Sequence, residues 1–225
     1  MNKQTILKYP RFFKFIIKIR NGLMFSNKLK AKGVRVNYGL TVLNGVKIYN
    51  FGNNNEINFS DFSRVSASKI TIYGNNNKIS IGKASSIRQA EFYIEDDNNE
   101  ITIGDNTSLC GKIHLAAIEG TKIIIGNNCL FSSNIHFQTG DSHSILDMNG
   151  KRINPSKDII ISNHVWVGTK VTCLKGTFVS SDSIVAATST LCKSYDTPNS
   201  IIAGVPGKII KSNINWDSKR IPFND

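Results

Sequence analysis

The apolar positions of this chain recur every six residues, a spacing that neither the 3.6-residue period of a helix nor the two-residue alternation of a strand produces. Ile81, Ile87 and Tyr93 are followed by Ile103, Leu109 and Leu115, and then by Ile125, Phe131 and Phe137. Further on, the step runs without a break through Ile161, Val167, Cys173, Val179, Val185 and Leu191. The fifth place of these later hexads is small or β-branched: Val165, Val171, Thr177, Ser183, Ser189. A longer repeat is superimposed on the short one. The segments 53–60, 75–82, 97–104 and 120–126 align on a polar turn followed by alternating apolar residues, and their ends at 60, 82, 104 and 126 are evenly spaced. Two steps of six and one of ten make up that unit, so four extra residues sit at one corner.

A chain that turns every six residues closes into a three-sided prism, with coils of about 18 residues hydrogen-bonded in parallel ~4.8 Å apart. The first residue of each hexad faces inward, the small fifth residue fits near a corner, and Gly or Asn supplies the permissive backbone of the turns. This predicts an all-β solenoid, a parallel β-helix. The interval from Gly126 to Ser162 is either two coils or one coil carrying an excursion. Residues 138–158 (QTGDSHSILDMNGKRINPSKD) are polar and break the repeat, so an extended loop is expected there, and such a loop is a natural functional site. A short helix is expected from about Pro10 to Gly22. The chain thus divides into a basic amphipathic N-terminal segment, 1–33, a β-helix domain, 34–211, and a tail, 212–225.

Composition sharpens this picture. Among 225 residues there are 32 Ile and 26 Asn, which suits a β core with tight polar turns. The net charge is +12, and it is unevenly spread. Lys3, Lys8, Arg11, Lys14, Lys18, Arg20, Lys28, Lys30 and Lys32 all lie in the first segment, without one acid among them. That segment reads either as an anchor on an anionic membrane surface or as a helix packed across an oligomer. The nearly neutral body argues against nucleic acid. No run is long and apolar enough to span a bilayer, and no signal peptide is evident, so a cytoplasmic location is expected, with the basic segment suited to the periphery of the inner membrane. Cys110, Cys129, Cys173 and Cys192 show no paired spacing and are expected to be reduced and buried.

The hexads, the loop Thr139-Gly-Asp-Ser-His143, the segment Asn163-His-Val-Trp-Val-Gly168 and the ending Pro198–Lys211 resemble the hexapeptide-repeat acyltransferases over roughly residues 70–216. Within that family the chain is most similar to O-acetyltransferases of bacterial capsule and O-antigen polysaccharides, some of them sialic-acid polymers. The resemblance implies a left-handed β-helix, a homotrimer with active sites between subunits, and acetyl-coenzyme A (acetyl-CoA) as co-substrate.

Acetyl transfer to a hydroxyl needs a base for the attacking oxygen, a stabilised carbonyl oxygen and a proton for the leaving thiolate. One His can fill the first and last roles, because its pKa lies near neutrality. The resemblance assigns the general base to His143, in the loop. Asp141 is close enough in sequence to orient it or to meet the acceptor. His114 and His136 are one long repeat apart, on one ladder, and either line an acceptor groove or simply stack outward. His164, at an outward fourth place, is expected to be solvated. A three-His zinc site does not fit the spacing, and no metal is expected.

Trp166 stands at an outward sixth place and, by resemblance, in the active site. Backbone N–H groups near Gly168 and Thr169 are candidates for the oxyanion, and Thr169 matches a donor-contacting position. Ala187, in the small run Ala186–Ser189, would let the pantetheine arm approach. Ala186, Thr188 and Cys192 depart from the family pattern. Lys208 and Lys211 match phosphate-meeting positions. The expectation is a polysaccharide O-acetyltransferase. An N-acetyltransferase of an amino-sugar nucleotide or antibiotic, and a non-catalytic scaffold, remain the alternatives.

Overall fold

The computed structural model describes residues 9–222, so Lys3 and Lys8 of the basic segment and residues 223–225 of the tail lie outside the described residues. Helix α1, Pro10–Leu23, opens the chain, and a left-handed parallel β-helix of about seven turns follows. Its first face carries eight strands in one parallel sheet, from Val34–Tyr38 to Ser194–Tyr195. The other two faces share a second sheet, because long strands such as Ser108–Ile118 and Leu130–Gln138 bend around the corner between them.

The register reproduces the spacing read from the sequence. Glu56 pairs with Lys78, Lys78 with Glu100 and Glu100 with Lys122, each one long repeat further on. Ile123 then pairs directly with Ile159, so the wide interval before Ser162 is one coil with a loop in it. After the loop the coils shorten to three plain hexads, as in the pairing of Ile160 with Phe178.

Every corner needs a left-handed residue, and Asn adopts that conformation at small cost. Asn54, Asn76 and Asn98 (φ 56°, 57° and 61°) stack at the corner that holds the four extra residues. There the side chains also replace ladder bonds: Asn55 Oδ1 accepts from Asn77 N–H and Asn77 Oδ1 from Asn99 N–H, both at 2.7 Å.

Inside, Ile57, Ile79, Ile101, Ile123 and Ile159 form one column without solvent contact. Truncating any one of them to Ala leaves a void between neighbours that cannot close, at about 2–5 kcal/mol. The fifth-place residues Val165, Val171, Thr177, Ser183 and Ser189 are all buried, as the repeat required. Cys129 and Cys173 are buried free thiols, but Cys110 and Cys192 are exposed. Each of these two follows an inward first-place Leu and therefore points outward, which corrects the expectation of four buried thiols.

Helix α1 covers the open N-terminal end. Asn21, fully buried, donates to Thr41 O (2.8 Å) and accepts from Leu43 N–H (3.1 Å), doing for the first coil what a preceding strand would do. Phe13 packs inward, while Phe12, Phe15, Ile16, Ile19 and Leu23 make an exposed apolar stripe. Among the described residues no helix is long and apolar enough to cross a membrane.

Candidate active site

The loop begins after Thr139 and is clasped at its stem, where Lys157 N–H donates to Thr139 O (2.9 Å). It folds as a small hairpin. Ile153 N–H donates to Ile145 O (2.9 Å), and Asp147 Oδ1 gathers the N–H groups of Asn149 (2.9 Å) and Lys151 (2.8 Å) at the tip. Two ties bind it to the coils on either side. Arg152 forms a two-pronged pair with Glu119 (2.5 and 3.1 Å), and Ser156 Oγ adds a bond to the same carboxylate at 2.6 Å. These bonds hold the Glu119 carboxyl down at about 2. On the other side Lys175 pairs with Asp141.

His143 lies between these ties with an exposed side chain. Its backbone is what the loop fixes. Asn154, nearly buried, donates to His143 O (2.8 Å) and to Asp141 Oδ2 (2.7 Å) and accepts from Ile145 N–H (2.8 Å). Asp141 therefore faces Lys175 and Asn154 rather than the His143 ring, and the Lys175 ammonium is the main cause of its lowered pKa. Nothing in the sequence singled out Asn154; an Asn in a loop is commonplace, and only the fold shows it bridging residues 9 and 11 positions away.

Trp166 sits on the second face, between Leu130 and Ile184 in register, with 40% of its surface exposed. Gly168 ends the same strand, and a Cβ there would come within 2.6 Å of Ala187 N, so only Gly permits the coils to approach at this corner. Its N–H already donates to Val185 O at 2.8 Å, which removes it as an oxyanion donor. Thr169 Oγ1 donates to Ser133 O (2.9 Å), and Ala187 is exposed one coil further on. Lys208 and Lys211 lie exposed on the strand Lys208–Lys211, which turns back antiparallel on Ile201–Ala203 and closes the solenoid.

His114 and His136 are on the third face, stacked with centroids 4.8 Å apart and rings 4° from parallel. They continue an outward column of rings from Phe51, Tyr73 and Tyr93; the six-residue step expected Tyr93 to face inward, but Phe92, fully buried and in register with Leu115, takes that place. Burial lowers the pKa of His114, against the opposing pull of Glu91, which bonds its Nδ1 at 3.2 Å. His164, expected to be solvated, is instead held by Asp182 Oδ1 (2.8 Å) and covered by Trp216 from the tail, with ring centroids 4.3 Å apart. Among the described residues no cluster of three potential metal ligands occurs.

The two groups of candidate residues thus leave the prism at different corners. The loop with His143 leaves the corner between the third and first faces, whereas Trp166, Gly168 and Ala187 occupy the second face and its far corner.

No family model matches the chain. Among curated proteins, it is 38% identical over 80 residues to the polysialic acid O-acetyltransferase of Neisseria meningitidis and 42% identical over 81 residues to that of Escherichia coli O1:K1 / APEC. Each alignment takes in 35% of this chain, and they span only 37% and 26% of those relatives. Among solved structures, the polysialic acid O-acetyltransferase OatWY superposes with a TM-score of 0.79 at 31% identity, over 88% of this chain and 90% of that one.

Proposed function

Because this chain belongs to the hexapeptide-repeat acetyltransferases, we propose that it transfers the acetyl group of acetyl-CoA to a sugar hydroxyl of a bacterial surface polysaccharide. The observation that carries this reading is the loop. It is the one long insertion in the solenoid among the described residues, and it is braced so that an exposed imidazole has no ring partner among them.

In this reading His143 takes the proton of the acceptor hydroxyl as its oxygen attacks the thioester carbonyl. The tetrahedral intermediate collapses, the C–S bond breaks, and the imidazolium returns the proton to the departing sulfur. Trp166, with Thr169 and Ala187, forms the wall along which the donor lies, and Lys208 and Lys211 meet its phosphates. The wall and the base belong to different copies, since one chain holds them at different corners. The hairpin supports this: Ile145, Leu146, Met148 and Ile153 are all more than half exposed, as residues waiting for a neighbouring surface would be. A trimer satisfies the requirement by closed symmetry. The apolar stripe of α1, flanked by Arg11, Lys14, Lys18 and Arg20, suits a seat on an anionic membrane surface beside polymer synthesis.

The test is thiol release from acetyl-CoA against a panel of capsular polymers and their monomers, with recovery of ester groups on the acceptor. His143→Ala is expected to lower turnover by about 10²–10⁴. Near-normal turnover in that variant removes His143 from the chemistry, and thiol release with amine acceptors alone would favour N-acetylation.

A further inference from the structure

Most of the tail is exposed. Among residues 212–222 only Trp216 is buried, and it is pinned on three sides. Its Nε1–H donates to His164 O (2.9 Å), its ring lies flat on the His164 imidazole, and the preceding turn is tied to Asn199 by two bonds of 3.0 and 3.1 Å. Its centroid is 6.0 Å from that of Trp166. Below this strap is a cavity of about 400 Å³, in the range that holds small-molecule ligands. Asn106, Ser108, Asn128, His164 and Asp217 line it together with Trp216.

Asn106 and Asn128 occupy equivalent corners of successive coils, both left-handed (φ 54° and 57°). At the other Asn corner, Asn54 Nδ2 donates to Asn76 Oδ1 at 2.6 Å, whereas Asn76 and Asn98 are not joined in this way. The amides of Asn106 and Asn128 are likewise not joined to each other, and both residues line the exposed edge of the cavity. The lining carries amides, hydroxyls, a carboxylate, an indole, the Cys129 thiol, Leu130 and the His164 imidazole, which is already paired with Asp182, but no Lys or Arg. Such a set complements a ring of hydroxyl groups, which donate to carboxylate and amide oxygens and accept from amide N–H. It does not complement a carboxylate, which calls for a fixed cation and would here face Asp217.

We infer that the cavity under Trp216 is an acceptor subsite for an uncharged sugar ring. Its place in the reaction rests on the transfer reading above, since it adjoins Trp166; its ligand class rests on the lining alone. A polymer of mixed composition would set a neutral unit here while the unit that reacts lies toward Trp166.

Trp166 and Trp216 are the only tryptophans, so full-length protein labelled at the indole nitrogen gives two signals, and Trp216→Phe identifies them. The probes are the methyl glycosides of galactose, N-acetylglucosamine and N-acetylneuraminic acid. A neutral glycoside should move the Trp216 signal saturably and the sialoside should not at the same concentration. The Asn106→Gly/Asn128→Gly variant keeps the left-handed corners and should weaken neutral binding by about tenfold or more. Three outcomes would overturn the assignment: a Trp216 signal unmoved by either neutral glycoside, equal response to the sialoside, or undiminished binding in the Gly variant. No turnover enters this measurement, so a protein that binds the glycosides but acetylates nothing would refute the transfer reading and leave the subsite standing.

Discussion

Asn154 shows how much one side chain can hold in place. Its amide joins His143 O, Ile145 N–H and the Asp141 carboxylate, so the loop backbone on both sides of residue 144 hangs from a single nearly buried group. Replacing it with Ala leaves the solenoid intact and frees the imidazole to wander. A displacement of about 1 Å at a reacting group costs up to 10²-fold in rate. Asn154→Ala should therefore lower kcat by roughly tenfold to a hundredfold, with a smaller change in the KM for acetyl-CoA. A loss as large as that of His143→Ala would mean that Asn154 does more than position. Such a role is invisible in the sequence: Asp141 could have turned to His143, two residues away, and it turned instead to a lysine 34 residues on.

At the scale of elements, the hairpin and the helix each yield a test. The hairpin's tie to Glu119 depends on a carboxylate whose folded pKa is depressed to about 2 by Arg152 and Ser156. A depressed carboxylate contributes stability that is complete above its unfolded pKa and is lost as pH falls through the folded value. The window is thus from about 4.5 down to about 2. Protease cleavage within residues 144–152 should be faster in Arg152→Ala than in the parent at neutral pH, and the same contrast read by hydrogen exchange should vanish as pH approaches 2. A contrast independent of pH would show that the pair does not hold the hairpin. For α1, binding of the full chain to vesicles with anionic lipid should exceed binding to neutral vesicles and fall with added salt. Lys14→Glu/Lys18→Glu should abolish the difference; equal binding to both vesicle types would assign the stripe to protein packing. The helix was legible from Pro10, Gly22 and the cationic spacing, but its Asn21 cap on Leu43 was not, since a buried Asn reads as polar surface until the strand it serves is in place.

The tube itself was the most legible part of the molecule. Each coil repeats one burial problem, so Ile57, Ile79, Ile101, Ile123 and Ile159 fall in register and the pattern accumulates with every turn. The site carries no such repetition: Trp216 meets His164 across 52 residues, and His143 and Trp166 are set on different sides of the prism. That separation gives the decisive prediction for the assembly. If each site takes His143 from one copy and Trp166 from its neighbour, His143→Ala and Trp166→Ala are each inactive as pure trimers. Mixed by unfolding and refolding together in equal amounts, they form some sites with both residues intact. In randomly assembled rings of three, a site is whole when its first copy supplies His143 and the next supplies Trp166, which occurs for about a quarter of sites. Thiol release should then recover to about a quarter of the parent rate. Were both residues drawn from one chain, every site in every mixture would lack one of them, and no rate would return. Refolding each variant alone controls for the procedure, and a second mixture, parent with His143→Ala, should scale with the fraction of parent chains because each parent copy then supplies its own His143 to an intact wall.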